Sequence, residues 1–95
     1  MDSPFEWDAI KAAANLRKHG VSFGEAVTVF ADPLSRDILD RGRSGREERF
    51  VCIGRSYLGR LLVVGYTERG PRLRIINARR ANPRETRAYE KANGA

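Results

Sequence analysis

The only histidine, His19, directly follows Lys18, and a basic pair, Arg79-Arg80, stands two residues before Asn82-Pro83. An imidazole ordinarily titrates near neutral pH, which suits a general base. Two guanidinium groups placed where a strand feeds a helix would meet a phosphate together with the positive end of that helix. Tyr89, on the closing helix, offers a phenol that can pass a proton or stack on a base. Together these groups suit RNA cleavage by the neighbouring 2′-hydroxyl. One group takes the hydroxyl proton, another protonates the leaving 5′-oxygen, and cations stabilise the crowded phosphorane. Each residue also has a plainer use. A histidine at a helix C-terminus can simply cap it, and a tyrosine on an amphipathic helix can be core. Arg72 and Arg74 read best as a solvated face that pairs with Glu68 or Glu48.

Other chemistries find little support. A single cysteine, Cys52, forms no internal disulfide, and with one histidine it makes no thiol-based zinc site. Cys52 sits in the apolar run Phe50-Val51-Cys52-Ile53 and reads as a small buried hydrophobe. No Walker loop, dinucleotide fingerprint or nucleophile elbow is present. Gly54 and Gly59 have phosphate-loop spacing but lack the Lys and Ser/Thr that should follow, so they mark a hairpin. No cofactor is expected. The net charge of +6 is unevenly spread. Residues 1–40 carry −3 and residues 41–95 carry +9, which points to an anionic partner for the second part. Fifteen of the eighteen basic residues are arginine, the side chain that grips phosphate with a planar fork; a genome rich in arginine codons would give the same bias.

The elements that must hold these groups fit one domain spanning residues 1–95. No stretch approaches the roughly 20 apolar residues of a membrane span. The opening residues carry acids and no apolar run, unlike a signal peptide, so a cytoplasmic location is expected. Asp8 offers an N-cap for a helix ending at His19-Gly20, with Ile10, Ala13, Ala14 and Arg17 on one face for close packing. Ser22 and Glu25 have capping-box spacing, and Phe23, Ala26, Val27 and Phe30 make one buried stripe that Asp32-Pro33 stops. Strands are expected over residues 34–40, 48–55, 61–69 and 72–79, joined as an antiparallel meander, with a basic glycine-bearing loop at 41–46. Phe5-Glu6-Trp7 is a short strand or an extended arm. A last helix starts at Asn82-Pro83, with Glu85 three residues after the cap. The class is α+β: two N-terminal helices, a sheet of about four strands, and a C-terminal helix.

The order of these segments resembles the BrnT family. Phe5-Glu6-Trp7-Asp8 and Asn15-Leu16-Arg17-Lys18-His19-Gly20-Val21-Ser22-Phe23 match its opening. Glu48-Arg49, Ile53-Gly54-Arg55-Ser56 and Tyr66-Thr67-Glu68-Arg69 match its middle, and Arg74 to Ala81 its closing strand. Asn77 stands where the family often has serine, and the basic loop is a second departure. The resemblance implies a RelE-like fold, metal-independent endoribonuclease activity that inhibits growth, and neutralisation by a BrnA-like ribbon-helix-helix antitoxin. The complex would act on operator DNA. Lys18, His19, Arg79 and Arg80, with Tyr89 and Glu48, are the residues it carries over as an active site. His19 or Tyr89 would handle the 2′-hydroxyl proton, while Arg79 and Arg80 clamp the phosphate and Lys18 and the basic loop hold its neighbours. A non-catalytic module that grips nucleic acid or an antitoxin remains the alternative. Trp7, Tyr57 and Leu58 are candidate apolar surface that an antitoxin would cover.

Overall fold

The computed structural model describes residues 3–40 and 48–94. Strand β1 (Phe5–Glu6) leads into helix α1 (Ala9–His19), then a single turn, α2 (Phe23–Ala26), continued by a 3₁₀ turn at Val27–Ala31. Strands β2 (Arg36–Leu39), β3 (Arg49–Arg55), β4 (Leu61–Arg69) and β5 (Arg72–Arg80) follow, and α3 (Pro83–Ala92) closes the chain. The expected antiparallel meander is present as β2 to β5. Among the described residues the sheet has five strands rather than four, in the order β1-β5-β4-β3-β2, because β1 adds to the edge of β5 in parallel. The basic loop expected at 41–46 lies outside the described residues.

The caps of α1 fall where the sequence places them. Asp8 accepts from the Ile10 N–H, and Gly20, at φ 68°, returns its own N–H to Leu16. Its packing face does not. Ile10 is 78% exposed, and Ala13, Ala14 and Arg17 are exposed beside it, while Ala12 and Asn15 turn inward. The reason is polar. Asn15 Nδ2 donates to the carbonyls of Ala78 (2.8 Å) and Val21 (2.9 Å), and its Oδ1 accepts from the Ala78 N–H (3.1 Å). Pairing between β1 and β5 ends at Arg74, so one buried amide serves further along β5 as a neighbouring strand would.

The second helix is shorter than the stripe of Phe23, Ala26, Val27 and Phe30 suggests. Val27, Thr28 and Val29 are successive β-branched residues, which fit a helix poorly. The Thr28 hydroxyl donates to the Glu25 carbonyl at 2.6 Å and competes with the helical ladder. The capping box is only half formed. The Ser22 hydroxyl accepts from the Glu25 N–H at 3.0 Å, but the Glu25 carboxylate points elsewhere. Strand β2 also starts late, since Asp32 binds the Leu34 N–H through its side chain and the Ser35 N–H through its carbonyl, holding a turn there. At α3 the box is complete, with Asn82 and Glu85 each bonding the other's backbone N–H.

One sheet face packs on α1, α2 and the 3₁₀ turn through Val21, Phe23, Ala26, Val29, Cys52, Leu62, Val64, Ile75 and Ala78. Phe5, Phe30, Tyr66 and Phe50 form a chain of ring contacts along it. Cys52 is buried there as expected, and burial pushes its thiol up to about 12. Space in this layer is tight at Gly54, where an added Cβ would stand 2.9 Å from Ser35 Cβ and 3.1 Å from the Val29 carbonyl oxygen. Gly54→Ala should therefore lose about 1–3 kcal/mol of stability in urea denaturation, since backbone has to shift. On the other face α3 covers the sheet only in part, leaving a cavity of about 210 Å³ bounded by Ile38, Val51, Ile53, Val63 and Ala88.

Candidate functional site: a basic end of the sheet

Antiparallel pairing brings the start of β4 and the end of β5 together. Leu62 faces Arg80, Val63 faces Arg79, and the Ala81 N–H donates to the Leu61 carbonyl at 2.9 Å. Arg60, just before β4, donates to the Gly20 carbonyl at 3.2 Å, so the C-terminus of α1, with Lys18 and His19, arrives at the same end. The N-terminus of α3 starts there too. Four of the six expected site residues, Lys18, His19, Arg79 and Arg80, thus gather at one end of the molecule.

Adjacent positions on a strand point to opposite faces, and the arginine pair divides accordingly. Arg79 lies on the α3 face, where its two terminal nitrogens each donate to the Glu85 carboxylate at 2.8 Å. That fork holds Glu85 below the usual carboxylate range, with the Asn82 backbone assisting and burial opposing. Arg80 lies on the helix face and is exposed. Among the described residues, neither Arg80 nor Lys18 belongs to an ion pair.

Between the helices and Arg80 lies Glu25, only 4% exposed. Its carboxylate accepts from Arg60 Nε (2.9 Å) and a second Arg60 nitrogen, and from the Ser56 hydroxyl (2.7 Å). The Arg60 hydrogen bonds are the main cause that lowers Glu25, against the upward push of burial; Ser56 and the charge of Arg80 add to it. This pair fixes the hairpin at residues 56–60 against α2. Neither Arg60 nor the role of Glu25 was visible in sequence, where Glu25 is absorbed by the capping-box pattern.

The remaining two expected residues stand apart. Tyr89 is buried, and its hydroxyl donates to Asp32 Oδ2 at 2.7 Å. Burial, followed by that hydrogen bond, pushes its phenol upward. Arg55 sits 5.6 Å from the centre of its ring and 3.7 Å from Glu90, so Tyr89 ties α3 to the turn at Asp32. Glu48 is exposed beside Thr67, whose hydroxyl donates to the Glu48 carbonyl. Thr67 is four residues along β4 from Val63, the partner of Arg79, or ~13 Å at strand rise. Among the described residues, no group of three His, Cys, Asp or Glu side chains is placed to hold a metal. Nor is any helix among them long and apolar enough to cross a membrane.

Glu25, Asp32 and Glu85 share a lowered folded pKa. For Asp32, burial pushes upward but is outweighed by hydrogen bonds from the Arg55 backbone, Tyr89 and the Leu34 backbone. A carboxylate with a depressed pKa stabilises the fold above its unfolded value, near 4, and that stabilisation fades as pH falls through the folded value. Thermal melting should therefore be flat from about pH 7 to 5 and fall steeply below about pH 4. Glu25→Gln should shallow that acid limb; an unchanged limb would show that the carboxylate is not held this way.

The profile of a family described as the ribonuclease toxin BrnT of type II toxin–antitoxin systems matches residues 7–85. Among solved structures, the 1.1 Å crystal structure of the Brucella abortus ribonuclease toxin BrnT superposes with a TM-score of 0.63 at 21% identity, over 82% of this chain and 95% of that one. No curated protein is similar. The matched segment runs from Trp7, at the entry to α1, to Glu85 on α3, and so contains every element of the basic end. The chain belongs to the BrnT family of ribonuclease toxins of type II toxin–antitoxin systems.

Proposed function

We propose that this chain is an endoribonuclease toxin that cuts RNA by attack of the 2′-hydroxyl on the adjacent phosphate, without a metal. The observation that carries this reading is that Arg80 and Lys18, in no ion pair among the described residues, stand with the single imidazole at the basic end. His19 takes the 2′-hydroxyl proton as the O2′–P bond forms, and the P–O5′ bond breaks as the leaving oxygen takes a proton from solvent, to which the imidazolium returns its own. Arg80 and Lys18 stabilise the phosphorane and hold its neighbours. Arg79 assists from the other face, sharing its guanidinium with Glu85. Tyr89 and Glu48 are weaker candidates, the first because its hydroxyl is engaged by Asp32 and the second because of its distance.

The products are a 2′,3′-cyclic phosphate and a 5′-hydroxyl, because the nucleophile belongs to the substrate. Purified protein free of its partner, given a 5′-labelled RNA in EDTA, should produce those ends. The reading is lost if EDTA abolishes cutting or if a 2′-deoxy scissile nucleotide is still cleaved. A BrnA-like ribbon-helix-helix antitoxin neutralises the enzyme, and the complex acts on operator DNA. The second reading, a non-catalytic binding module, is favoured by the carboxylates that already neutralise Arg60 and Arg79. Growth arrest on expression, relieved by a folded Arg80→Ala variant, speaks for the enzyme.

A further inference from the structure

The hairpin between β3 and β4 carries two large apolar side chains that the fold does not use. Tyr57 is 72% exposed and Leu58 57%. The turn that presents them is nonetheless firmly held. The Tyr57 N–H donates to the Thr28 hydroxyl at 2.9 Å, and the Leu58 N–H to the Ser56 hydroxyl at 3.2 Å. Ser56 and Arg60 close the hairpin through a 2.8 Å bond, and Gly59 supplies the left-handed turn at φ 78°. Below it lies the Glu25–Arg60–Ser56 cluster. A rigid mount for an exposed aromatic ring spends little conformational entropy when a ligand arrives.

Tyr57 borders a shallow cavity of about 300 Å³ whose other walls are Thr28, Ala31, Asp32, Arg55 and Ser56. Arg55 is itself held, by the ring of Tyr89 and by Glu90. The cavity thus has an aromatic wall and a guanidinium wall, the two surfaces on which unpaired bases stack. Its place matters as much. Residues 56–60 join β4 at the end where it meets Arg80, and Arg60 closes the hairpin that carries Tyr57.

We propose that this cavity is a base subsite: an unpaired nucleobase of the RNA stacks on Tyr57, with Arg55 opposite, while an adjoining phosphate lies on the cations of the basic end. The inference rests on the ribonuclease reading above and deepens it. The substrate class becomes single-stranded RNA, since a paired base cannot enter. Stacking tolerates any base, so the subsite sets affinity and strand state rather than sequence.

The test compares native protein with Tyr57→Ala, Tyr57→Leu and Tyr57→Phe, each shown folded by its melting curve. Binding and cleavage are measured on an unstructured fluorescein-labelled RNA 12-mer and on the same strand in a duplex. Tyr57→Ala and Tyr57→Leu should raise KM and weaken single-strand binding by about 5- to 100-fold, with kcat much less affected. Tyr57→Phe should behave as native, and the duplex should bind no better than it does to the alanine variant. Unchanged single-strand binding by folded Tyr57→Ala overturns the inference while the nuclease stands. So does a loss confined to antitoxin binding. If native protein neither binds nor cuts RNA, the ribonuclease reading itself is lost and the subsite with it.

Discussion

Arg80→Ala should lower the rate of RNA cleavage by about 10²–10³-fold while leaving melting temperature almost unchanged. The size is that of removing one preorganised donor from a developing anionic charge. The specificity comes from Arg80 being exposed and, among the described residues, in no ion pair; buried Glu25, which feels its charge, keeps its hydrogen bonds from Arg60 and Ser56. Arg79→Ala should behave differently. Its guanidinium is already matched by Glu85, so the loss in rate should be smaller, and the junction of β5 with α3 should loosen. Arg80→Lys should recover part of the rate, as a point charge replaces a fork. Single-turnover cleavage of a defined RNA measures all three. A larger loss for Arg79→Ala than for Arg80→Ala would place the phosphate on the α3 face and move the site across the sheet.

The largest loss of stability should come from Asn15→Leu. Leucine has the same branched shape and is larger, so the change removes hydrogen bonds, opens no cavity and crowds the site. It leaves the Ala78 N–H and the Ala78 and Val21 carbonyls without the partner that Asn15 supplies. An unsatisfied buried polar group costs about 1–3 kcal/mol. The three together should cost on the order of 3–5 kcal/mol, and roughly 4–8 °C in melting temperature follows each kcal/mol in a domain of this size. Asn15→Asp tests the same geometry. It keeps an acceptor for the Ala78 N–H but sets a carboxylate against two carbonyl oxygens, so its stability should improve as pH falls and the acid protonates. A melting curve within a few degrees of native for Asn15→Leu would mean that water replaces the amide without loss.

Helix α3 and the caps of α1 were legible because their signals are local. Asn82, Pro83 and Glu85 lie within four residues, and Asp8 and Gly20 bracket one periodic segment. The meander was legible for the same reason, through the hairpin at Gly54 and Gly59 and the short gaps between the expected strands. What escaped was long-range. The partner of Glu25 is Arg60, and the partner of Asn15 is Ala78, pairs that no neighbouring residue announces. Asn15 also explains why the small residues of α1 misled: a polar group took the inner face and the alanines went outward. Lys18-His19 and Arg79-Arg80 could be named from composition and spacing. That Arg79 and Arg80 part to opposite faces follows from strand alternation, but which face carries Glu85 depends on how α3 returns over the sheet.

The strand order has a consequence for when the protein comes into being. Phe5 and Glu6 pair with Leu73 and Arg74, and Asn15 waits for Ala78. During synthesis residues 5 and 6 have no seat until β5, the last strand described, has followed them out of the ribosome. Helix α1 lacks the partner of Asn15 until β5 emerges, and the cations of residues 18 and 80 come together only then. A messenger cut short before that strand yields a chain that lacks the partner of β1 and lacks Arg79 and Arg80.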